Sequence, residues 1–351
     1  MLERIGSTKL IDRTRAEFDE SVTSGELAIL AARDDLGVLQ TVQPAPDATW
    51  SMLNSEFFAK RPDVELRVYG HYSSECDLSF AGRMSNVRRF SADSLMRAEN
   101  LHRVADMHLE SLGLGVFELE SFDLLQGVTS TIERLFLGST RSKKPDLALL
   151  ARFESLRELK IEGHSKGIEV LAHLRTLEDL TLRSVTTDDL TYLTPLPRLR
   201  SLDIKLGGIL SLAGIEGKGL IKYLELWQVR GLSDIGVIAH LPGMQSLFLQ
   251  SLPRVEELPS FRALSSLRRV VLQNMKGLKD FSELEHAPAL EEFALIQGNA
   301  QEPEMLVPVV RNPSLCRATA GFGSDRKNLQ FHALLAQYEV EEFEWEPFAF
   351  R

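Results

Sequence analysis

A chain of 351 residues, 44% hydrophobic and 26% charged, has the profile of a folded protein and excludes an intrinsically disordered one. The formal net charge of −10 argues against nucleic acid, whose affinity comes from cationic neutralisation of phosphates, and for a neutral or basic protein partner. Only Cys76 and Cys316 are present, which excludes a disulfide framework or a paired-cysteine zinc site and suits a reducing compartment.

The N-terminal stretch MLERIGSTKLIDRTRAEFDE lacks the apolar core of a secretory signal. No apolar run reaches the roughly 18–20 residues that a membrane helix needs. The expectation is a cytoplasmic protein without membrane association. Residues 1–60 predict a partly helical N-terminal cap, since RTRAEFDES and GELAILAARDD contain helical turns. QPAPDATW (43–50), with Pro44 and Pro46, is expected to break those helices before the next region begins.

Over residues 61–351 one template recurs, L-x-x-L-x-L. It reads LRELKI (156–161), LEDLTL (177–182), LRSLDI (199–204), IKYLEL (221–226), MQSLFL (244–249), LRRVVL (267–272) and LEEFAL (290–295). IERLFL (132–137), LESLGL (109–114) and VRRFSA (87–92) fit with substitutions. DVELRV (63–68), LCRATA (315–320) and VEEFEW (340–345) fit more loosely. Successive starts lie 21 to 25 residues apart. In such a segment the apolar residues alternate with polar ones, so it predicts a short strand with one buried face. One coil cannot bury its own leucines, but stacked coils form a continuous core. The fold expected is an α/β solenoid of about 12–13 coils, with a concave parallel β-sheet and an irregular or short-helical convex side.

The back-of-coil pattern I-x-x-L-x-x-L, with this strand template, resembles the short bacterial internalin-like class of leucine-rich repeats over roughly residues 60 to 346. The resemblance implies a curved horseshoe that recognises a protein without catalysis. One departure is visible. The family places asparagine three positions after the last leucine, where this chain has His164, Val185, Gly207, Val229, Leu252, Met275 and Gly298. Apolar packing is expected to replace much of that amide ladder. Near the end, EPEMLVPVVRNP and DRKNLQFHALLAQY predict true convex-side helices. VEEFEWE predicts a glutamate-rich edge strand that also caps the array.

Candidate chemistry is sparse. GHSKG (163–167) satisfies the G-x-S-x-G elbow of serine hydrolases. Its glycines nevertheless fall where Arg230-Gly231-Leu232 and Lys276-Gly277-Leu278 leave other strands, so a repeat turn explains them and Ser165 is read as a loop residue. EGKG (216–219) lacks the spacing of a phosphate-binding loop. His102 and His108 are six apart, not a one-face helical spacing. The sequence therefore predicts no catalytic residue, no metal and no cofactor.

The informative signal is the outward-facing set of strand residues, the third, the fifth and the one after the sixth of each template. Strands starting at 156, 177 and 199 present mixed charge. From 221 onward Tyr223, Trp227, Phe248, Val271, Ala294 and Ile296 gather with Arg269 beside them. Tyr223, Trp227, Phe248, Arg269, Val271 and Ile296 are the candidate partner-binding residues, since a contiguous aromatic patch with arginine marks a binding surface. The alternatives are that the chain's own tail or a second copy covers the patch, or that the register slips by one. The function expected is protein–protein recognition. A sharper version, by analogy with inhibitory horseshoes, is an inhibitor or bacterial immunity protein against a basic toxin. A scaffold oligomerising through residues 1–60 and an enzyme with a site hidden in that cap are the other classes.

Overall fold

Alternating apolar residues in the repeated segments form short parallel strands, with the leucines inward and the polar positions outward. The computed structural model describes residues 3–70 and 76–351. It divides into two units, Met1–Val170 and Leu171–Arg351.

In the first unit β1 (Arg4–Ile5) pairs antiparallel with β2 (Thr8–Leu10), and β2 with β3 (Arg15–Glu17). A parallel ladder then runs from β3 through β4 (Val38–Thr41) to β5 (Glu65–Tyr69). Two short strands, β6 (Cys76–Asp77) and β8 (Ala98–Glu99), pair apart from it and flank β7 (Arg89–Leu95) in the chain. The ladder continues from β5 to β7, β9 (Ser111–Val116), β10 (Arg134–Leu137) and β11 (Glu158–Glu162). It therefore begins inside residues 1–60, which the sequence presented as a cap outside the template. The strands RAE and VLQT carry too few leucines to show the pattern, yet Ala16 and Leu39 are fully buried in the ladder's inward columns.

Helices do occur in this region. Thr23 and Glu26 cap each other's backbone N–H at the start of α1 (Ser24–Ala31), the reciprocal arrangement of a capping box. The stretch 43–50 breaks the chain only as far as Pro46. Behind it α2 (Asp47–Met52) begins at once and widens into a π turn over Leu53–Phe58. The reason is burial. Trp50 stacks on Phe80 at 3.8 Å and meets the edge of Phe18 at 5.8 Å, while Phe57 and Phe58 are fully buried.

In the second unit β12 (Asp179–Arg183), β13 (Ser201–Lys205), β14 (Tyr223–Trp227) and β15 (Ser246–Gln250) pair in chain order, all parallel. The series continues through β16 (Arg269–Gln273), β17 (Glu292–Ile296), β18 (Arg317–Ala320) and β19 (Glu341–Glu342). The register is that of the template, so Leu180, Leu202, Leu224, Leu247, Val270 and Phe293 form one buried column. Each such side chain contributes about 1.5–3 kcal/mol by leaving water. Returning chain forms 3-10 turns, as at Thr191–Leu193 and Gly236–His240. Toward the end these give way to α3 (Val307–Val310) and α4 (Asp325–Gln337), within the two segments expected to be helical. The expected strand over 340–346 is shorter, ending at Glu342.

The slots that lack asparagine are filled as expected by apolar packing, since Val185, Val229, Leu252 and Met275 are at most 1% exposed. Just before them Ser184, Leu206, Gln228, Ser251, Asn274 and Gln297 all adopt the left-handed conformation, with φ of 51–58°. For a side-chain-bearing residue this costs on the order of 1 kcal/mol. An extra cross-coil hydrogen bond offsets it: the N–H of Leu206, Gln228, Ser251 and Asn274 donates to the last carbonyl of the next strand at 2.8–2.9 Å.

Coils approach closely at Gly214, where a Cβ would lie 1.8 Å from the carbonyl oxygen of Leu190. That oxygen belongs to backbone, so it does not yield cheaply. Gly214→Ala is expected to lower the unfolding free energy by about 2 kcal/mol or more, whereas Gly321→Ala, with open space around it, changes it by less than about 1 kcal/mol. Urea unfolding of the two variants measures the contrast, and equal losses would remove the clash as its cause.

Candidate recognition face

The outward columns of the second unit are set by the ladder register. The third positions run Ser201, Tyr223, Ser246, Arg269, Glu292, Arg317, and the fifth run Asp203, Glu225, Phe248, Val271, Ala294, Thr319. The last run Lys205, Trp227, Gln250, Gln273, Ile296. Neighbouring strands lie about 4.8 Å apart, so these side chains form a continuous surface.

Its charged end is at β13 and β14. Lys205 Nζ bridges Asp203 at 3.3 Å and Glu225 at 3.0 Å, and the Tyr223 hydroxyl donates to Glu225 Oε2 at 2.9 Å. Burial, with Glu225 nearby, pushes the Asp203 carboxyl up, although Lys205 opposes the shift. Burial would pull the Lys205 ammonium down, but Asp203 and Glu225 outweigh it and hold it above the usual lysine range. Burial and then the Glu225 charge raise the Tyr223 phenol, so it stays a hydrogen-bond donor at neutral pH. Arg183 lies over the Trp227 ring, 5.6 Å from its centre.

The apolar end is covered. After Glu342 the chain leaves the ladder and turns back over the outward face. Phe343, 4% exposed, joins Val271 and Ala294 in a buried cluster against which Phe248 and Ile296 also pack. The following residues, 344–351, form a strap across the strands. Arg269 donates to Glu346 O at 3.1 Å, and Arg268 to Ala349 O at 2.9 Å. Gln245 holds Arg351 on both sides, donating to its O at 2.7 Å and accepting from its N–H at 2.8 Å. Lys222 Nζ adds a bond to Arg351 O at 2.8 Å. The Phe348 ring lies under the guanidinium groups of Arg268 and Arg269, at 5.2 and 4.9 Å, and Phe350 meets Tyr223 edge-on at 6.4 Å. A cavity of about 590 Å³ remains between strap and strands.

Of the residues singled out in the sequence, Tyr223, Phe248, Arg269 and Val271 thus line the strap-covered groove. Ile296 sits beside it, and Trp227 stands apart at the other end of its strand. All face outward, but Arg269 and Val271 are 7% and 3% exposed, so of the two covers foreseen it is the chain's own tail that lies over them. Sequence reasoning passed over Lys222, Gln245 and Arg268, which precede the strands and hold the strap. The template hid them, because its second position carries no apolar signal. Arg269 and Arg317 also share Glu292 as a common partner, which fixes their guanidinium planes.

The GHSKG loop is a turn. Gly163 and Gly167 have φ of 77° and 72°, conformations natural to glycine, and Ser165 is exposed. His164 points away into the first unit, where Nε2 lies 3.0 Å from Gly138 O, and burial holds its pKa below the usual histidine value. Among the described residues no group of three or more His, Cys, Asp or Glu could hold a metal ion. Nor, among them, is any helix long and apolar enough to cross a membrane.

No protein-family model matches the sequence, and no curated protein sequence matches it. Solved structures do. An internalin from Listeria monocytogenes is similar with a TM-score of 0.56 at 19% identity, over 85% of this chain and 88% of that one. The TLR13–ssRNA13 complex is similar with a TM-score of 0.51 at 12% identity, over 90% of this chain and 51% of that one. The chain is a leucine-rich-repeat protein by fold. The resemblance read from the back-of-coil pattern therefore holds in three dimensions.

His164 occupies an asparagine slot and is kept neutral by burial, so its folded-state pKa lies below its unfolded one. Stability is then fully present above the unfolded pKa and falls as pH drops through it. The melting temperature is expected to decline as pH falls below the unfolded histidine value of about 6.5, and His164→Asn should flatten that decline. Equal pH slopes for the two proteins would exclude His164 as a source.

Proposed function

We propose that this protein is a non-catalytic recognition module that binds a protein partner through the outward face of β13–β17. The observation that carries the reading is that the face already binds polypeptide. A segment of the same chain lies across it, with its backbone oxygens held by Lys222, Gln245, Arg268 and Arg269 and its aromatic rings on arginine and tyrosine. Aromatic and arginine side chains are the types that dominate binding energy at protein interfaces. Tyr223, Trp227, Phe248, Arg269, Val271 and Ile296 are the residues assigned to it.

The fold alone does not separate protein from RNA, since one structural neighbour is solved with a single-stranded RNA. Charge favours protein. The chain is net −10, and Lys205, Arg269 and Arg317 of this face are already paired with Asp203, Glu225 and Glu292, which leaves less cationic charge for a phosphate backbone. Inhibition of a partner enzyme, in the manner of an immunity protein, is the specific form of this reading that an acidic chain suits.

Trp227→Ala combined with Phe248→Ala removes two half-buried outward rings and leaves the leucine columns intact. The double variant is expected to lose partner capture at least tenfold while its melting temperature falls by no more than about 8 °C. Chemical crosslinking followed by affinity measurement on the captured partner checks this. Undiminished affinity in the double variant would reject the assigned face.

A further inference from the structure

We propose that the groove on β14–β16 is a docking site for an extended partner segment bearing aromatic side chains two residues apart, and that 344–351 is its intramolecular competitor. The proposal rests on the recognition reading above and names what that face accepts.

Three features of the strap point to it. First, its contacts are generic to polypeptide. Glu346, Ala349 and Arg351 are held through backbone atoms and Phe348 and Phe350 through their rings, while the side chains of Glu346 and Arg351 add ion pairs to Arg317 and Glu291. In an extended chain alternate side chains share a face, which is why Phe348 and Phe350 both reach the sheet while Ala349 between them is exposed. Any segment with the pattern aromatic-x-aromatic can make the same backbone and ring contacts.

Second, the strap is shallow. The deep anchor, Phe343, precedes it. Trp345 and Phe350 are 57% and 50% exposed, and only Phe348 is half-buried. Ladder pairing in the described residues ends at Glu342, so no strand hydrogen bonds hold 344–351 in place.

Third, the strap spans the groove without filling it. The remaining space of about 590 Å³, floored by Tyr223, Phe248 and Val271 with Arg200 and Lys222 at its rim, is of the size that binds a ligand of several side chains. Bulkier side chains on the same backbone path would bury the exposed flanks of Tyr223 and Phe248 that the strap leaves open. A groove occupied part of the time weakens apparent affinity by the fraction left free, so loosening the occupant must strengthen binding of a competitor.

The test needs no knowledge of the partner. A fluorescent peptide of sequence EWEPFAFR is titrated by anisotropy into three full-length proteins: wild type, Phe348→Ala/Phe350→Ala, and that variant carrying Tyr223→Ala/Phe248→Ala as well. Circular dichroism and thermal melts establish that all three are folded. The strap variant is expected to bind the peptide at least tenfold more tightly than wild type, which corresponds to a strap closed about nine-tenths of the time. The added groove substitutions should remove that gain, and a peptide with both phenylalanines replaced by alanine should not bind. Equal affinity for wild type and strap variant, or binding that survives the groove substitutions, overturns the proposal. If the peptide fails while Trp227→Ala alone abolishes partner capture, the groove assignment falls and the recognition reading stands.

Discussion

A coil of some 22 residues has leucines to bury and nothing of its own to bury them against. Everything else in the molecule follows from the need to stack. Strand spacing fixes the separation of neighbouring coils, the leucine columns fix the register, and the register decides which side chains face out. Gly214 shows how strict the spacing is, since no Cβ fits between that turn and the carbonyl of Leu190. The outward surface is therefore not built separately. It is the other side of the columns that hold the coils together.

That surface changes character along the second unit. At β13 and β14 the outward positions include an ionic network of Asp203, Lys205 and Glu225, while in β15–β17 the central outward column is Phe248, Val271 and Ala294. Charged side chains tolerate water. An apolar strip on a sheet does not, and contiguous patches of this kind are normally covered or used. The chain covers its own, with Phe343 deep among Val271 and Ala294 and the strap laid more loosely beyond. Arginine is suited to the task because its planar face stacks on rings while its edge donates to carbonyls. Arg269 does both, over Phe348 and to Glu346.

Much of this was legible in the residues. Leucine spacing alone placed the strands of the second unit and the orientation of Tyr223, Phe248 and Val271, because period-2 alternation leaves no freedom once one face is buried. It did not reveal β3 and β4, whose inward residues Ala16 and Thr41 break the leucine rule while obeying the geometry. Nor did it reveal Gln245 or Lys222. Their role comes from a contact about 106 positions along the chain for Gln245, and nothing local in either segment announces the other. Glutamates at 341, 342 and 344 read as an edge strand, but the pairing stops once Phe343 finds an apolar cluster to enter. Local pattern predicts what repeats, and the strap happens once.

The left-handed residues at the strand exits have a directional consequence. Each of Leu206, Gln228, Ser251 and Asn274 relies on a carbonyl belonging to the following coil. During synthesis a coil emerges before its successor, so its exit bend is the last part of it to be locked. The growing end of the array is thus always left with one unlatched turn, and each latch closes only after the next coil has formed. In the finished chain the same dependence runs backwards: fraying from the C-terminal side releases these latches in sequence, whereas loss of an N-terminal coil leaves the latches of those that follow intact.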